Sequence, residues 1–441
     1  MESTTEVSGT PEIVDAVVLG AGISGLVSAS VLLDQGERSV LLVDEYPRVG
    51  GNHLDMAIGD YTFDVGSFIF QDDSPLLQHF PELLPEYEPI RPSWSRLNPQ
   101  GVVTSYPFSL RDDVLAAGPV ELARIMASAV FARLDRRPLV SARDFARHWI
   151  GARFLYRSGL ENYMARFCGC PIDRIDLTFA QSRMLWIRDQ TTVPALVRQV
   201  KQQLRRTPPT APTNRQLARP RQGFATLYAP AVATLESRGA SFALGRGVHR
   251  VQRTPDGFVV ETAAGTVQTR RLVSTIPLAQ MAALCDVPFE PLPAVTLVSL
   301  FYSFSGRRGF EESILYNFSH EARWKRLTVY SDFYGTAGGR TYFAVEVVAD
   351  QAGTSVAEAA EEFRRHTAAN GLLEGDLRLE GSHVLEQAYP IYTGGSAERA
   401  AAGVAALKAL GIESFGRQGA FRYQPTARVS ALEAEAALQS V

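Results

Sequence analysis

The stretch Ile13–Asn52, IVDAVVLGAGISGLVSASVLLDQGERSVLLVDEYPRVGGN, decides the fold of this 441-residue chain. The apolar, β-branched run Ile13–Leu19 predicts a buried parallel strand. The glycine-rich segment Gly20–Gly25 follows directly, and the apolar spacing of Leu26–Gln35 then predicts a helix. A second apolar strand is predicted over Ser39–Val43. The order strand, glycines, helix, strand predicts a βαβ unit with a parallel sheet.

The glycine segment has the spacing of a dinucleotide-binding fingerprint. Gly20 and Gly22 allow a tight turn and a close approach of the backbone to a pyrophosphate, and Gly25 lets the helix pack on the strand. The N-terminus of the helix, at Ile23 and Ser24, faces the pyrophosphate. We therefore expect these five residues to bind a dinucleotide.

An acid at the end of the second strand is the expected partner of a ribose 2′-hydroxyl, which disfavours a 2′-phosphate. Asp44 and Glu45 both stand at this point, and both are candidate cofactor residues. The fingerprint by itself leaves NAD and FAD open, so the choice depends on the residues that follow.

The segment Arg48–Asn52 resembles the second glycine pair of FAD proteins in the superfamily of amine oxidases, protoporphyrinogen oxidase and UDP-galactopyranose mutase. Counting back from the glycines in that pattern makes Asp44 the ribose acid, and a Gly-Gly-Asn is usual in the mutases. The resemblance implies FAD as the cofactor. It also implies cofactor contacts from four residues of this chain: Arg48, Gly51, Asn52 and Val248.

Composition excludes several classes of protein. The net charge of −3 gives no indication of a nucleic-acid or anionic membrane partner. Three cysteines, two of them in Cys168-Gly169-Cys170, form neither a disulfide framework nor the usual zinc spacing, which favours reduced thiols in a cytoplasmic protein. The polar first twelve residues show no signal peptide. The apolar stretch Val120–Leu134 is too short and too charged to span a bilayer, which leaves a peripheral membrane contact as an open alternative.

The pattern along the chain predicts an α/β fold of three parts. We expect a discontinuous FAD-binding Rossmann-like domain, because Arg271–Pro277 resembles the superfamily's return to the nucleotide-binding sheet. We expect a helical substrate or lid domain, because Glu121–Leu134, Ala142–Tyr156 and Thr192–Leu204 carry helical spacing. Later β-rich segments, with strands over Arg326–Phe333 and Ser382–Leu385, predict a mixed β-sheet substrate domain. The predicted ranges are 1–105, 221–290 and 405–441 for the first domain, 106–220 for the second and 291–404 for the third.

The C-terminal segment Phe415–Tyr423, followed by a predicted helix, resembles the end of the UDP-galactopyranose mutases. In the mutase pattern the Gly-Arg pair lies beside the flavin, and the tyrosine contacts a substrate phosphate. The resemblance thus implies flavin contacts from Gly416 and Arg417, with Arg417 as the catalytic residue, and a substrate contact from Tyr423.

Other matches to the mutase pattern are spread over the chain: Tyr163, Arg183, Arg326 and Tyr389. As a set they suit a pyrophosphate, because guanidiniums neutralise its charge and phenols donate hydrogen bonds to its oxygens.

The chain also departs from the mutase pattern. The mutases have histidine where Phe68 and Gln71 stand, tryptophan in place of Cys168, and Tyr-Tyr-Asp where this chain has Tyr423-Gln424-Pro425. His53, beside the second glycine pair, is predicted to pack or face solvent rather than to act as a base or a covalent flavin link.

The resemblance implies an isomerase that acts on a nucleotide-diphosphate sugar. In that family N5 of reduced flavin attacks the anomeric carbon, and the sugar ring opens and recloses at the other size. NAD(P)H is a possible external reductant, and a homodimer is compatible with this assignment. The alternative is an FAD-dependent oxidoreductase of the amine oxidase or protoporphyrinogen oxidase kind, which takes hydride from a small molecule. A third alternative is a flavin-binding protein without turnover.

Overall fold

The computed structural model describes residues 12–66, 69–107, 110–183, 214–349 and 353–439, without the side chains of residues 110, 111, 115 and 183. The helix predicted over Thr192–Leu204 and the position of Phe68 lie outside the described residues. The described α-helices are α1 (Ile23–Asp34), α2 (Leu76–His79), α3 (Pro119–Leu134), α4 (Ala142–Ile150), α5 (Ala152–Arg157), α6 (Leu160–Cys168), α7 (Leu177–Arg183), α8 (Phe224–Ser237), α9 (Leu278–Leu284), α10 (Ser331–Tyr334), α11 (Val356–Ala369), α12 (Ser396–Ala409), α13 (Gly416–Gly419) and α14 (Ala427–Gln439).

The described strands are β1 (Glu12–Leu19), β2 (Val40–Asp44), β3 (Leu54–Ile58), β4 (Tyr61–Val65), β5 (Phe70–Gln71), β6 (Glu88–Ile90), β7 (Trp94–Leu97), β8 (Val103–Ser105), β9 (Gln216–Ala218), β10 (Ala240–Leu244), β11 (Val248–Thr254), β12 (Gly257–Thr262), β13 (Gly265–Ser274), β14 (Ala294–Arg308), β15 (Ile314–Asn317), β16 (Trp324–Val329), β17 (Thr341–Val348), β18 (Leu373–Pro390) and β19 (Ile412–Ser414). Short 3₁₀ and π turns add Pro81–Glu86, Leu110–Val114 and Leu115–Ala117.

The fingerprint forms the predicted βαβ unit at the centre of a seven-stranded sheet. Strands β1 and β2 are parallel and are joined by α1, and the path through the sheet runs β10-β2-β1-β13-β12-β11. Strand β19 pairs in parallel with the end of β13. Segments far apart in sequence thus build one sheet. The mixed α/β fold that the sequence predicts is confirmed.

A second seven-stranded sheet has the order β18-β14-β17-β16-β15-β7-β8. Strands β7 and β8 pair in this sheet, although residues 94–105 stand in the first predicted domain. Residues Ile314–Asn317 of β15 pair in parallel with residues Trp94–Leu97 of β7. The three-domain division stays a prediction.

The prediction of one continuous helix over Ala142–Tyr156 is wrong, because the structure has two helices there. The first ends at Ile150 and the second begins at Ala152, because Gly151 has a φ of +75°. A Cβ at Gly151 would lie 2.8 Å from the Ala129 nitrogen, so α3 passes too close for any larger residue. The apolar spacing continues across this break, which is why periodicity alone did not show it.

The strand predicted over Arg326–Phe333 is also wrong at its end, since β16 stops at Val329 and a short helix follows. The Tyr330 hydroxyl donates to the Asp64 carbonyl oxygen at 3.2 Å, and the Tyr334 hydroxyl donates to the Arg219 carbonyl oxygen at 2.9 Å. These long-range hydrogen bonds favour the turn over continued pairing. The strand predicted over Ser382–Leu385 is the central part of the longer β18.

Separate hydrophobic clusters cover the two faces of the first sheet. On one face α1, α8 and α14 bury Leu26, Tyr228 and Leu438, and on the other α9 and α12 bury Met281 and Leu407. The helices α3 to α7 form their own cluster. No helix among the described residues is long and apolar enough to cross a membrane.

Candidate active site

The carboxyl ends of β1, β2 and β13 meet at one edge of the first sheet. Leu19 pairs with Val43 on one side and with Ser274 on the other. The chain turns at Gly20, where φ is +100° and a Cβ would lie 2.4 Å from Thr275 Oγ1. A ligand at the end of a parallel sheet binds at such an edge.

Glycines from two separate loops face each other at this edge. Gly22 forms an isolated parallel bridge with Gly50. A Cβ on Gly51 would lie 3.0 Å from the Gly22 Cα, and Gly51 has a φ of +58°. The two loops therefore pack backbone against backbone at the position of the predicted pyrophosphate cradle. Gly25 lies behind this cradle, against the carbonyl oxygen of Gly20, and not on its surface.

Asp44 ends β2 beside the cradle and is 8% exposed. Its Oδ2 accepts the Ala21 amide at 2.6 Å, and its Oδ1 accepts the Tyr46 amide at 2.9 Å. Burial raises the pKa of the Asp44 carboxyl, against the lowering effect of the two amides. Glu45 is exposed and also lines the site.

The remaining predicted cofactor residues divide into two groups. Val248 lines the site at the start of β11, and Asn52 lines it while its Nδ2 donates to the Ala388 carbonyl oxygen at 3.1 Å. Arg48 instead pairs with the Asp55 carboxylate at 2.9 Å and does not line the site. The sequence pattern could not show this because Asp55 belongs to the next strand.

The C-terminal tail joins the fingerprint to the rest of the site. Gly416 has a φ of +92°, and a Cβ there would lie 3.4 Å from Ser24 Oγ. The next residue, Arg417, donates to the Gln424 carbonyl oxygen. No carboxylate among the described residues forms an ion pair with Arg417. Burial lowers the pKa of this guanidinium, although nearby tyrosine hydroxyls partly oppose the effect.

A second charged group lies on β16 and β17. The Glu346 carboxylate pairs with Lys325 Nζ at 2.9 Å and with the Arg326 guanidinium. Arg326 also donates to the Gly66 carbonyl oxygen at 2.8 Å, while its buried Nε has no partner among the described residues. Burial would lower the pKa of Arg326, but the Glu346 carboxylate raises it above its ordinary value.

Tyrosines complete this region. Lys325 Nζ donates to the Tyr389 hydroxyl at 3.0 Å, and Tyr163 stacks on Phe318 with ring centroids 4.2 Å apart. Tyr423 meets the Phe179 ring edge to face at 5.3 Å. The buried Tyr392 hydroxyl has no hydrogen-bond partner among the described residues.

One cavity of about 1150 Å³ connects these groups. Its fingerprint end is lined by Gly20, Gly22, Ile23, Ser24, Asp44, Gly51 and Val248. Its inner end is lined by Tyr163, Phe167, Lys325, Arg326, Glu346, Tyr389, Tyr392, Arg417 and Tyr423. The structure thus brings together most of the predicted residues. The side chain of Arg183, at the end of α7, lies outside the described residues.

Comparison with known proteins gives the family. The family model described as flavin containing amine oxidoreductase matches residues 23–368, more than three quarters of the chain. The chain belongs to this family. The family implies FAD as the cofactor and an FAD-dependent oxidoreductase type of enzyme.

Solved structures share the fold of this flavoprotein. Reduced UDP-galactopyranose mutase superposes with a TM-score of 0.78 at 17% identity, covering 98% of this chain and 95% of that chain. A candidate protoporphyrinogen oxidase from Exiguobacterium sp. 255-15 gives 0.71 at 15%, covering 98% and 99%. Putrescine oxidase bound to putrescine gives 0.57 at 15%, also covering 98% and 99%. These low identities support the fold only.

The residues at the fingerprint end fit FAD. Gly22 and Gly51 line the cavity without side chains, α1 presents its N-terminus to the cavity, and Asp44 offers a carboxylate to a ribose hydroxyl. The buried Tyr392 hydroxyl and Arg326 Nε are donors that a ligand at the inner end would satisfy. These residues would hold the cofactor and its substrate in one continuous cavity.

Replacing Asp44 with asparagine in the flavoprotein is expected to weaken FAD binding about 10- to 100-fold, because a charged acceptor is lost at a buried site. The measurement is the dissociation constant from flavin fluorescence titration of the apoprotein. Glu45→Gln is the matched control, since Glu45 is adjacent but exposed. A larger loss for Glu45→Gln than for Asp44→Asn would move the ribose contact to Glu45.

His53 packs against aromatic rings, as the sequence predicted, and it also lines the cavity of the flavoprotein. Its ring stacks on Phe224 at 5.3 Å, and its Nδ1 is 2.6 Å from the Tyr228 hydroxyl. Burial, together with the positive charge of Arg417, lowers the pKa of His53 to about 4. The imidazole is therefore neutral at physiological pH.

The contribution of His53 to the stability of the flavoprotein is expected to be lost as the pH drops from 6.5 towards 4. In that window the unfolded chain binds a proton at His53 that the folded protein does not bind, so acid favours unfolding. The shift from 6.5 to about 4 corresponds to roughly 3 kcal/mol, at about 1.4 kcal/mol per pKa unit. The test is Tm against pH, in which His53→Gln should flatten the profile. His249→Gln, at an exposed position, should not.

Sequence reasoning missed Lys325, Glu346 and Tyr392. Glu346 had a visible signal, because a lone acid in the apolar strand TYFAVEVV must be paired when it is buried. Lys325 stands next to Arg326 in a stretch that resembles the mutases. Only the pairing of β16 with β17 shows that these charges meet.

Proposed function

We propose that this flavoprotein is an FAD-dependent mutase that interconverts the pyranose and furanose forms of a nucleotide-diphosphate sugar. The observation that carries the proposal is the charge of the inner end. Among the inner-end residues, Lys325, Arg326 and Arg417 carry three positive charges and Glu346 one negative charge, a net charge of +2. The other acids that line the cavity are Asp44 and Glu45 at the fingerprint end and the exposed Glu386. A partly buried positive site favours a dianionic group such as a diphosphate.

Hydrogen-bond donors surround this charge. The hydroxyls of Tyr389, Tyr392 and Tyr423 belong to residues that line the same end, and burial raises the pKa of Tyr389 and Tyr392. The phenols of Tyr389 and Tyr392 therefore stay protonated and can donate to phosphate or sugar oxygens. Such donors suit a substrate that carries many oxygen acceptors.

When bound in its reduced form, FAD supplies the nucleophilic chemistry of ring interconversion, and an external reductant such as NAD(P)H provides the electrons. The chain supplies position and charge. Arg326 would bind the diphosphate through its Nε, and Lys325 would be kept in place by Glu346 and Tyr389. Arg417 would add positive charge beside the fingerprint helix.

The experiment uses the holoprotein, reduced with dithionite under anaerobic conditions and mixed with candidate nucleotide sugars in either ring form. We expect interconversion of the ring forms, detected by liquid chromatography, and no substrate-dependent oxygen uptake by the oxidised holoprotein in a parallel assay in air. Oxidised protein should be at least about 100-fold slower. Failure of the reduced holoprotein to interconvert any of the sugars tested, in either direction, would contradict the mutase proposal.

One observation favours a second candidate, an FAD-dependent oxidoreductase of a small molecule. Arg326 is already bound by Glu346, and the rings of Tyr106, Tyr163, Phe167 and Tyr316 line the adjoining wall. Such a wall also suits an apolar substrate that gives up a hydride. Substrate-dependent oxygen uptake without ring interconversion would select this candidate.

Replacing Arg326 with alanine is expected to raise KM for a diphosphate substrate about 10- to 100-fold, because a charged hydrogen bond to the ligand is lost. Steady-state kinetics of the reduced holoprotein measure the effect. Arg307→Ala is the matched control, since Arg307 pairs with Glu374 on the exposed side of the second sheet. An unchanged KM would remove Arg326 from the substrate site.

A further inference from the structure

Helix α3 carries apolar side chains on its outer face. Val120, Met126, Val130, Phe131 and Leu134 are 65%, 59%, 56%, 72% and 69% exposed. A helix on the surface of a globular protein ordinarily turns polar residues to solvent and apolar residues inward. A contiguous exposed apolar face indicates an interaction surface.

The arrangement around the helix axis is that of an interfacial helix. At about 100° per residue, the five exposed apolar side chains fall within an arc of about 140°. Arg124 and Arg133 fall about 20° beyond its two edges by the same geometry. Ile125 points away from the arc and is buried in the helical cluster. We call this arc, with its two flanking arginines, the α3 face.

Positive charge is concentrated around the α3 face. Residues 119–157 contain eight arginines, three acids and no lysine, a formal charge of +5, although the whole chain has −3. Arg136 and Arg137 follow the helix directly and are exposed. The rest of the chain therefore carries a formal charge of −8, and the positively charged segment is the one that also carries the apolar arc.

We propose that the α3 face docks this protein on an anionic lipid membrane. The apolar arc would enter the boundary between headgroups and acyl chains, and the flanking arginines would bind lipid phosphates. Charge complementarity favours this occupant over a second copy of the chain, because two α3 faces would bring like charges together. With 16 residues, α3 is short for a spanning helix, so it would lie in the plane of the surface.

The docking face and the cavity are two sides of one helical unit. Ile125 belongs to the cluster that also contains Tyr163, Cys168 and Phe179, and these three residues line the cavity. Membrane binding would thus place the helical wall of the cavity close to the lipid. The inference rests on surface composition alone and is independent of the reaction proposed above.

The test is sedimentation of the holoprotein with vesicles of phosphatidylcholine that contain about 30% phosphatidylglycerol, compared with pure phosphatidylcholine. We expect binding to the anionic vesicles that falls when salt is raised to about 0.5 M. Phe131→Ser combined with Leu134→Ser should lower the partition coefficient at least about tenfold, because two apolar anchors are lost. Arg136→Glu combined with Arg137→Glu should remove the preference for anionic vesicles.

Leu379→Ser is the matched control, because Leu379 is 43% exposed but lies on β18 of the second sheet. Unchanged FAD content and Tm show that the variants are folded. Equal binding by wild type and the double serine variant would overturn the proposal. A second result would also overturn it: a wild-type protein that does not bind vesicles but forms a dimer in sedimentation velocity, which the double serine variant disrupts. The α3 face would then bind a second copy of the chain.

Discussion

Replacing Arg417 with alanine is expected to lower kcat/KM about 10²- to 10³-fold while FAD remains bound. Arg417 is the charged residue that connects the fingerprint helix, through Gly416 and Ser24, with the tyrosines of the inner end. No ion pair within the described part of the chain compensates its charge, so the full charge is available to a bound anion. Loss of one preorganised charged donor in an active site has an effect of this size.

The controls separate charge from structure. Arg417→Lys keeps the positive charge, and its kcat/KM should fall only about tenfold. The loss is expected because the planar guanidinium, with its several donors, is replaced by the point charge of an ammonium group. Arg422→Ala is the matched surface variant, since Arg422 lies in the same tail, is exposed and pairs with Glu433 at 3.4 Å. Full activity in Arg417→Ala, measured with saturating FAD, would remove Arg417 from the reaction.

A second readout does not depend on activity. The positive charge of Arg417 contributes to the low pKa of His53, so Arg417→Ala should raise that pKa. Selective ¹³C labelling of the seven histidines allows this titration to be followed by NMR. An unchanged His53 titration would show that the Arg417 charge does not reach the glycine loop.

Replacing Gly25 with alanine is expected to abolish FAD retention. The added Cβ would lie 1.9 Å from the Gly20 carbonyl oxygen, far inside van der Waals contact. Because that oxygen belongs to the turn that begins the fingerprint, α1 and β1 would have to separate and the pyrophosphate cradle would widen. Overpacking of this kind destabilises a protein by about 1–3 kcal/mol or more.

The measurements are the flavin to protein ratio after purification and the Tm of the apoprotein. Gly394→Ala is the matched control, because a Cβ there meets nothing within 4 Å. Far-UV circular dichroism distinguishes a folded apoprotein from a misfolded chain. A Gly25→Ala variant that retains a full complement of FAD would contradict the packing argument.

Much of the fold was predictable because its signals are local. The strand, glycines, helix and acid of residues 13–44 lie within about thirty positions, so each can be recognised without knowledge of the rest of the chain. The resemblance at Gly50–Asn52 then predicted the cofactor, and the resemblance at Gly416–Arg417 predicted that the C-terminal tail contacts it. Where backbone contacts between distant segments decided the structure, as at Gly151, periodicity failed.

The net charge of the chain is another property that does not predict where an interaction surface lies. The net charge of −3 gave no indication of an anionic surface partner, because a sum over 441 residues does not report where the charges lie. The structure shows that the basic segment 119–157 also carries the exposed apolar arc of α3. Only this coincidence of charge and exposed apolar area supports membrane docking.

By itself the sequence determined the βαβ unit, its dinucleotide fingerprint and the candidacy of Asp44, Arg326 and Arg417. Tertiary structure alone decided how these residues are paired. It placed Arg326 and Lys325 on one carboxylate of Glu346 and turned Arg48 away to Asp55. The physical reason is that a turn or a strand depends on neighbours in the chain, whereas the state of a buried charge depends on whichever groups the fold packs around it.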